Sequence, residues 1–338
     1  MDLKNYSITN SEIWSGRVDD PNDPDSYRMH QIVQLIDLTS ISSAELNSGK
    51  VNICLIGFNC DEGVSRNLGR EGAKQGAKYI RREFANLPVT FGDNVAIYDA
   101  GDIECIDGNM EEAQEQLKRA IAIILDYHFF PIVLGGGHEL AFGHYNGIVE
   151  HFVGSNKDLS SLGIINFDAH FDLRPYKNGG SSGTMFAQIA DICNEQSRPF
   201  SYMCLGIQAS SNTISLFKKA DSLGVKYILG KDFIEPNFGD ITKTIDSFIG
   251  NHDHIYFTLC SDVINSSFAP GVSAIQPFGM NAEVVLTFIK QILRSKKVIS
   301  FDVAEVSPRF DQDNRTAKLI AIILFAIINT LKENGSIK

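Results

Sequence analysis

From residue 51 onward, short apolar runs alternate with longer stretches in which apolar positions recur every three or four residues. The short runs are 51–57, 96–100, 131–135, 162–167, 202–206, 225–229, 255–260 and 297–302. Short continuous apolar runs bounded by turn and acidic residues read as strands buried on both faces. Helical patterns fall near 73–86, 110–127, 139–152, 184–195, 213–221, 239–250, 281–294 and 314–333. The last carries an apolar stripe through Leu319, Ile320, Ile323, Leu324, Ala326, Ile327 and Leu331, as a helix packed on a core requires. This alternation predicts an α/β fold: a mostly parallel sheet of eight strands with helices on both faces.

Residues 1–50 break the pattern. They are polar and irregular, with an Asp/Pro-rich stretch at 19–26 and the only tryptophan, Trp14. A segment holding that tryptophan is expected to dock on the body. No low-complexity linker or internal repeat divides the chain, so 1–338 is read as a single domain with segment 1–50 docked on it.

Composition narrows the function. A hydrophobic fraction of 43% in 338 residues supports a sizeable core. A net charge of −11 argues against nucleic acid or an anionic membrane as partner. It leaves an anionic small substrate open, because a pocket can be locally basic. The six cysteines (54, 60, 105, 193, 204 and 260) show no close-paired metal spacing, and several sit in apolar runs, as reduced core thiols do. The start, Met1-Asp2-Leu3-Lys4-Asn5, has no signal-peptide pattern, and no apolar run reaches membrane-spanning length. A soluble, cytoplasmic protein is expected.

Candidate chemistry gathers at four strand ends, which a parallel sheet brings to one edge. Gly135-Gly136-Gly137-His138-Glu139 follows the run Pro131-Ile132-Val133-Leu134. Its glycines permit the turns that aim His138 inward; a phosphate loop would need a following Lys-Ser/Thr, which is absent. Asp168-Ala169-His170-Phe171-Asp172 follows 162–167. On an extended backbone its i, i+2 and i+4 side chains share one face. Two carboxylates that close are costly unless neutralised, and a divalent cation does so; a surface loop that binds nothing is the alternative. Thr258-Leu259-Cys260-Ser261-Asp262 and Phe301-Asp302-Val303-Ala304-Glu305 end the other two strands. Cys260 and Asp262 are expected on one strand face.

Together these stretches resemble the arginase–agmatinase ureohydrolases. The resemblance runs from about Ile53 to Ala321 and includes Gly63-Val64-Ser65-Arg66-Asn67, Gly69-Arg70-Glu71-Gly72-Ala73, Phe268-Ala269-Pro270-Gly271-Val272-Ser273-Ala274 and Asp302-Val303-Ala304-Glu305-Val306-Ser307-Pro308. It implies a three-layer α/β/α fold on an eight-stranded parallel sheet and up to two manganese ions (Mn2+), a pair that can activate water. By the same resemblance His138 and Asp172 bind the first metal, His170 and Asp262 the second, and Asp168 bridges both. Asp168 and Asp262 steady the attacking water, Glu305 faces the substrate's cationic nitrogen, and Asp302 supports the site. Cys260 falls where the arginases have a second bridging aspartate. It is either a soft ligand or an inert buried thiol. Phe186 stands near an arginase proton-transfer histidine and cannot replace it; His144 is a candidate, against an ordinary core or surface role.

Finer details resemble the branch that acts on N-formimidoyl-L-glutamate in histidine degradation. They are Trp14-Ser15-Gly16-Arg17-Val18-Asp19, Arg28 with His30-Gln31, Asp172-Leu173-Arg174-Pro175-Tyr176, Ser181-Ser182-Gly183-Thr184 and Gly206-Ile207-Gln208. The implied reaction adds water and yields L-glutamate and formamide. Both substrate carboxylates are free, so a small anionic amino-acid substrate calls for Arg174, with Asn178, Ser182 and Thr184 as further donors. A homo-oligomer stays open. The alternatives are a ureohydrolase acting on a guanidine such as agmatine or arginine, and a non-catalytic relative with a weakened metal site.

Overall fold

The computed structural model describes residues 3–41 and 50–335. All eight apolar runs are strands: β3 (Val51–Asn59), β4 (Val95–Glu104), β5 (Phe130–Leu134), β6 (Leu162–Phe167), β7 (Tyr202–Ile207), β8 (Lys226–Leu229), β9 (His254–Cys260) and β10 (Val298–Ala304). Two two-residue strands, β1 (Tyr6–Ser7) and β2 (Gln34–Leu35), extend the expected eight to ten. Elements that short leave no apolar run to read. The order is β1-β4-β3-β5-β10-β9-β6-β7-β8, with β2 also on β4. Only the β1–β4 pairing is antiparallel among the described strands.

Each expected helix is present: α2 (Gly76–Ala85), α3 (Met110–Asp126), α4 (Leu140–Gly154), α5 (Met185–Glu195), α6 (Ile214–Ser222), α7 (Phe238–Gly250), α8 (Ala282–Arg294) and α9 (Arg315–Asn334). A short α1 (Glu62–Arg66) was not foreseen. Residues of α2, α7, α8 and α9 pack into one core and those of α3, α4, α5 and α6 into another, on opposite faces of the sheet. Strand β3 shows why its run is continuously apolar: Ile53 and Leu55 face the first core, while Cys54, Ile56 and Phe58 face the second. Among the described residues no helix is long and apolar enough to cross a membrane.

The N-terminal segment is tied down by a buried polar network. Trp14 Nε1 donates to Asp99 Oδ2 at 2.7 Å, and its ring meets Phe84 edge-on. Arg81, wholly buried, pairs with Asp99 at 2.8 Å and Asp102 at 2.6 Å. Arg28 donates to the Asn86 carbonyl at 2.6 Å. Residues 1–2 and 42–49 of the segment lie outside the described residues.

Candidate metal centre

The four motif-bearing strands are sheet neighbours, in the order β5-β10-β9-β6. Their C-terminal ends therefore open on one stretch of one edge, where sites lie in parallel sheets. After β5 the chain turns through Gly135 (φ 73°) and Gly136 (φ 79°). A Cβ at the first would strike the Ala77 backbone nitrogen and at the second the Phe58 carbonyl oxygen, so both positions need glycine. The turn is then knitted to β10: His138 N–H donates to Glu305 Oε1 at 3.0 Å, and Glu305 N–H donates to the Gly136 carbonyl at 2.8 Å.

Strand alternation does not bring the acids together. β6 stops at Phe167, and Asp172 has a left-handed backbone (φ 51°). The 168–172 side chains converge because the loop folds back, with His170 N–H donating to Asp168 Oδ1 at 2.8 Å. Likewise Cys260 is the last residue of β9, whereas Asp262 sits in a one-turn 3₁₀ helix, Ser261–Val263.

Asp168 is the hub. Its Oδ2 lies 2.9 Å from His138 Nδ1 and its Oδ1 3.3 Å from His170 Nδ1. His138 Nδ1 is also 3.0 Å from Asp172 Oδ2, and His170 Nδ1 is 3.2 Å from Asp262 Oδ2. Two donor groups result, His138–Asp168–Cys260 and Asp168–His170–Asp262, and the ligand atoms within each lie within 4.8 Å of one another. Asp168 belongs to both.

The electrostatics call for added positive charge. Burial, then the neighbouring Asp168, push the Asp172 carboxyl up to about 7. Burial also raises Glu305, helped by Glu139 and Asp262, and raises the Cys260 thiol, helped by Asp168. Burial works against ionisation of Asp168 too, but His138 and His170 outweigh it and hold that carboxyl low. Among the described residues Asp262 Oδ1 is buried without a hydrogen-bond partner. A site with a spare carboxylate oxygen and mostly nitrogen and oxygen donors fits hard divalent cations such as manganese; the Cys260 sulfur is the one soft donor.

His138 is held in the tautomer a metal needs. Its Nε2 lies 3.0 Å from Thr258 Oγ1, whose hydroxyl donates to Asp302 Oδ1. A hydroxyl that gives its proton to a carboxylate can only accept from the imidazole, so Nε2 carries a hydrogen, and Nδ1, which donates to the acids here, is the nitrogen that would turn its lone pair to a metal. Asp302 also accepts from Tyr256 and stands 2.6 Å from His144 Nδ1.

These side chains line a cavity of about 300 Å³ with His138, His170, Asp172, Cys260, Asp262 and Glu305 at its base. Arg174 and Ser182 line it as expected. The Arg174 guanidinium is exposed at the rim rather than buried, with no acceptor among the described residues. Asn178 and Thr184 do not line the cavity. Asn178 is exposed on a turn, and the Thr184 hydroxyl accepts from Ser181 N–H and lies 3.0 Å from Gln188 Oε1. Phe186 is buried core, edge-on to His138 and stacked on Tyr202. His144 is buried behind the site against Asp302, away from the cavity. Asn67, Arg70 and Ser273 line the cavity without having been singled out as site residues, although their motifs were visible. Arg70 is clamped: Nε donates to the Ser273 carbonyl, Nη2 to the Val272 carbonyl, and the guanidinium lies 4.1 Å from the Phe310 ring centroid.

Residues 51–329 match the family model described as Arginase family. The chain belongs to the arginase family. A relative described as formimidoylglutamase, from Clostridium tetani, is 49% identical over 97% of this chain and 96% of its own. Among solved structures, the formimidoylglutamase of Bacillus subtilis superposes with a TM-score of 0.77 at 20% identity, over 94% of this chain and 96% of that one. The Trypanosoma cruzi formiminoglutamase solved with two Mn2+ ions gives a TM-score of 0.74 at 24% identity, over 87% of this chain and 98% of that one. At those identities the superpositions establish the arginase fold for this chain, and the long alignment to the clostridial relative establishes its family.

Proposed function

We propose that this chain hydrolyses N-formimidoyl-L-glutamate to L-glutamate and formamide, at two manganese ions held by His138, Asp168, His170, Asp172, Asp262 and Cys260. The carrying observation is a pair of donor groups sharing Asp168 at the floor of a cavity whose rim bears the free guanidinium of Arg174. The clostridial formimidoylglutamase, alike over nearly its whole length, supports the substrate.

When bound, such ions supply Lewis acidity and lower the pKa of water. The chain's own groups do the rest. Asp168 and the unpartnered oxygen of Asp262 accept hydrogen bonds from the attacking water and fix its orientation. Glu305 lines the cavity beside the metal ligands and holds the protonated formimidoyl nitrogen, which leaves the adjoining carbon electrophilic. Arg174 takes a substrate carboxylate, with Ser182 and Asn67 as neutral donors beside it. Phe186 offers no proton, so the departing α-amino group draws its proton from within the cavity. The reaction belongs in the cytoplasm, where thiols such as this chain's six free cysteines stay reduced. Neither nucleic acid nor membrane is a partner in this reading.

The test is glutamate release from formimidoylglutamate by the manganese-loaded protein, beside urea release from arginine and agmatine. Glutamate alone is expected. Urea without glutamate would make it a guanidine hydrolase, and no product from any of the three would point to a non-catalytic relative.

A further inference from the structure

Beside the metal site, on the same edge of the sheet, lie two thiols that the proposed reaction does not use. Cys60 follows β3 and Cys105 follows β4. Those strands pair in parallel with Asn59 opposite Glu104, so the two cysteines are the next pair in register. The ladder continues through them, since Cys105 N–H donates to the Asn59 carbonyl at 3.3 Å. Neighbouring strands run about 4.8 Å apart, inside the roughly 4.4–6.8 Å between Cα atoms that a disulfide spans. Each thiol shifts the titration of the other, as neighbouring sulfurs do.

We propose that Cys60 and Cys105 form a reversible disulfide with peroxide as the oxidant, a modification site whose closing is felt at the His138 loop. Exposure sets the order of events: Cys105 is half-exposed and Cys60 is buried. The Cys105 sulfur attacks a peroxide oxygen and the O–O bond breaks, leaving a sulfenic acid and one water. The Cys60 sulfur then attacks the sulfenic sulfur; the S–S bond forms, the S–O bond breaks, and a second water departs with the Cys60 proton. Two thiols are oxidised and one peroxide is reduced. The neighbouring Cys60 thiol lowers the Cys105 thiol below its ordinary range, which favours the first step.

The link to the metal site is short. The Cys60 carbonyl accepts from Gly137 N–H at 2.9 Å. Gly137 immediately precedes His138. Closing the disulfide pulls on Cys60, whose carbonyl holds the Gly137 end of the His138 loop.

The experiment treats manganese-loaded protein with a small molar excess of hydrogen peroxide, then counts alkylatable thiols, maps cross-linked peptides and assays activity. Two of the six thiols should be lost, in one cross-link joining Cys60 to Cys105, with an activity loss reversed by dithiothreitol. Cys105→Ser should start at wild-type activity, form no cross-link and keep its activity through the same treatment; Cys60→Ser is the second variant. Both thiols remaining alkylatable after treatment would overturn the proposal, as would parallel inactivation of wild type and Cys105→Ser. Thiol count and cross-link are read without a substrate, so they stand or fall separately from the proposed reaction.

Discussion

Thr258 donates its hydroxyl proton to Asp302 Oδ1 at 2.5 Å, and both side chains are wholly buried on neighbouring strands. The pair sets the state of a third residue, because the same Thr258 oxygen accepts from His138 Nε2. Replacing Thr258 with valine keeps the shape and removes the acceptor, freeing His138 to take the other tautomer. We expect Thr258→Val to weaken binding of the first manganese by about 10–100-fold, the usual cost of losing such a support. Thr258→Ser should restore it. Calorimetric manganese titrations of the three proteins decide the matter, and equal affinities would disconnect Thr258 from the metal.

Arg174 is exposed at the rim, so its bond to a substrate carboxylate competes with water. Arg174→Ala should raise KM for formimidoylglutamate about tenfold, near 1.4 kcal/mol, with kcat little changed. Arg174→Lys should recover only part of the loss, because an ammonium cannot make the bidentate contact. Steady-state kinetics with an unaltered KM would remove Arg174 from substrate binding.

Cys260 shares a donor group with His138 and Asp168, and burial keeps its thiol protonated in the absence of metal. A carboxylate there offers a hard oxygen, which manganese prefers to sulfur. Cys260→Asp should therefore bind manganese more tightly and shift selectivity away from zinc. Competition titrations with both ions read this directly; unchanged preference would mean the thiol never reaches a metal.

Glu139 tests the pH response of the fold. Its Oε1 accepts from Gly63 N–H, and burial pushes its carboxyl up to about 7, above the ordinary 4.5. Between those values the folded chain binds more protons than the unfolded one, so stability falls as pH rises. The group's contribution is complete below about 4.5 and gone above about 7. Glu139→Gln, neutral throughout, should flatten this limb, by about 3 kcal/mol at most. Urea unfolding of both proteins from pH 5 to 8 measures it, and parallel curves would show that Glu139 is not protonated in the fold.

The sequence alone determined the eight long strands, the eight long helices and the edge of the sheet that bears the chemistry. Runs such as Ile53 to Phe58 are apolar at every position because both faces are buried, and that signal needs no partner to be read. The short strands β1 and β2, and the seating of Trp14 on Asp99, came from tertiary contact; two residues carry no periodicity, and a hydrogen bond across 85 positions leaves no local trace. The site residues divide on the same line. His138, Asp168, His170, Asp172, Cys260 and Asp262 were legible because chemistry concentrates where strands end. How they converge was not: folded loops at Asp172 and Ser261–Val263 do the work assigned to strand alternation. The cavity wall was least legible. Asn178 and Thr184 sit near it in sequence and not in its lining, while Asn67, Arg70 and Ser273 reach it from distant loops. Which side chains face a cavity depends on how separate loops stack over the sheet edge, and only the packed chain decides that.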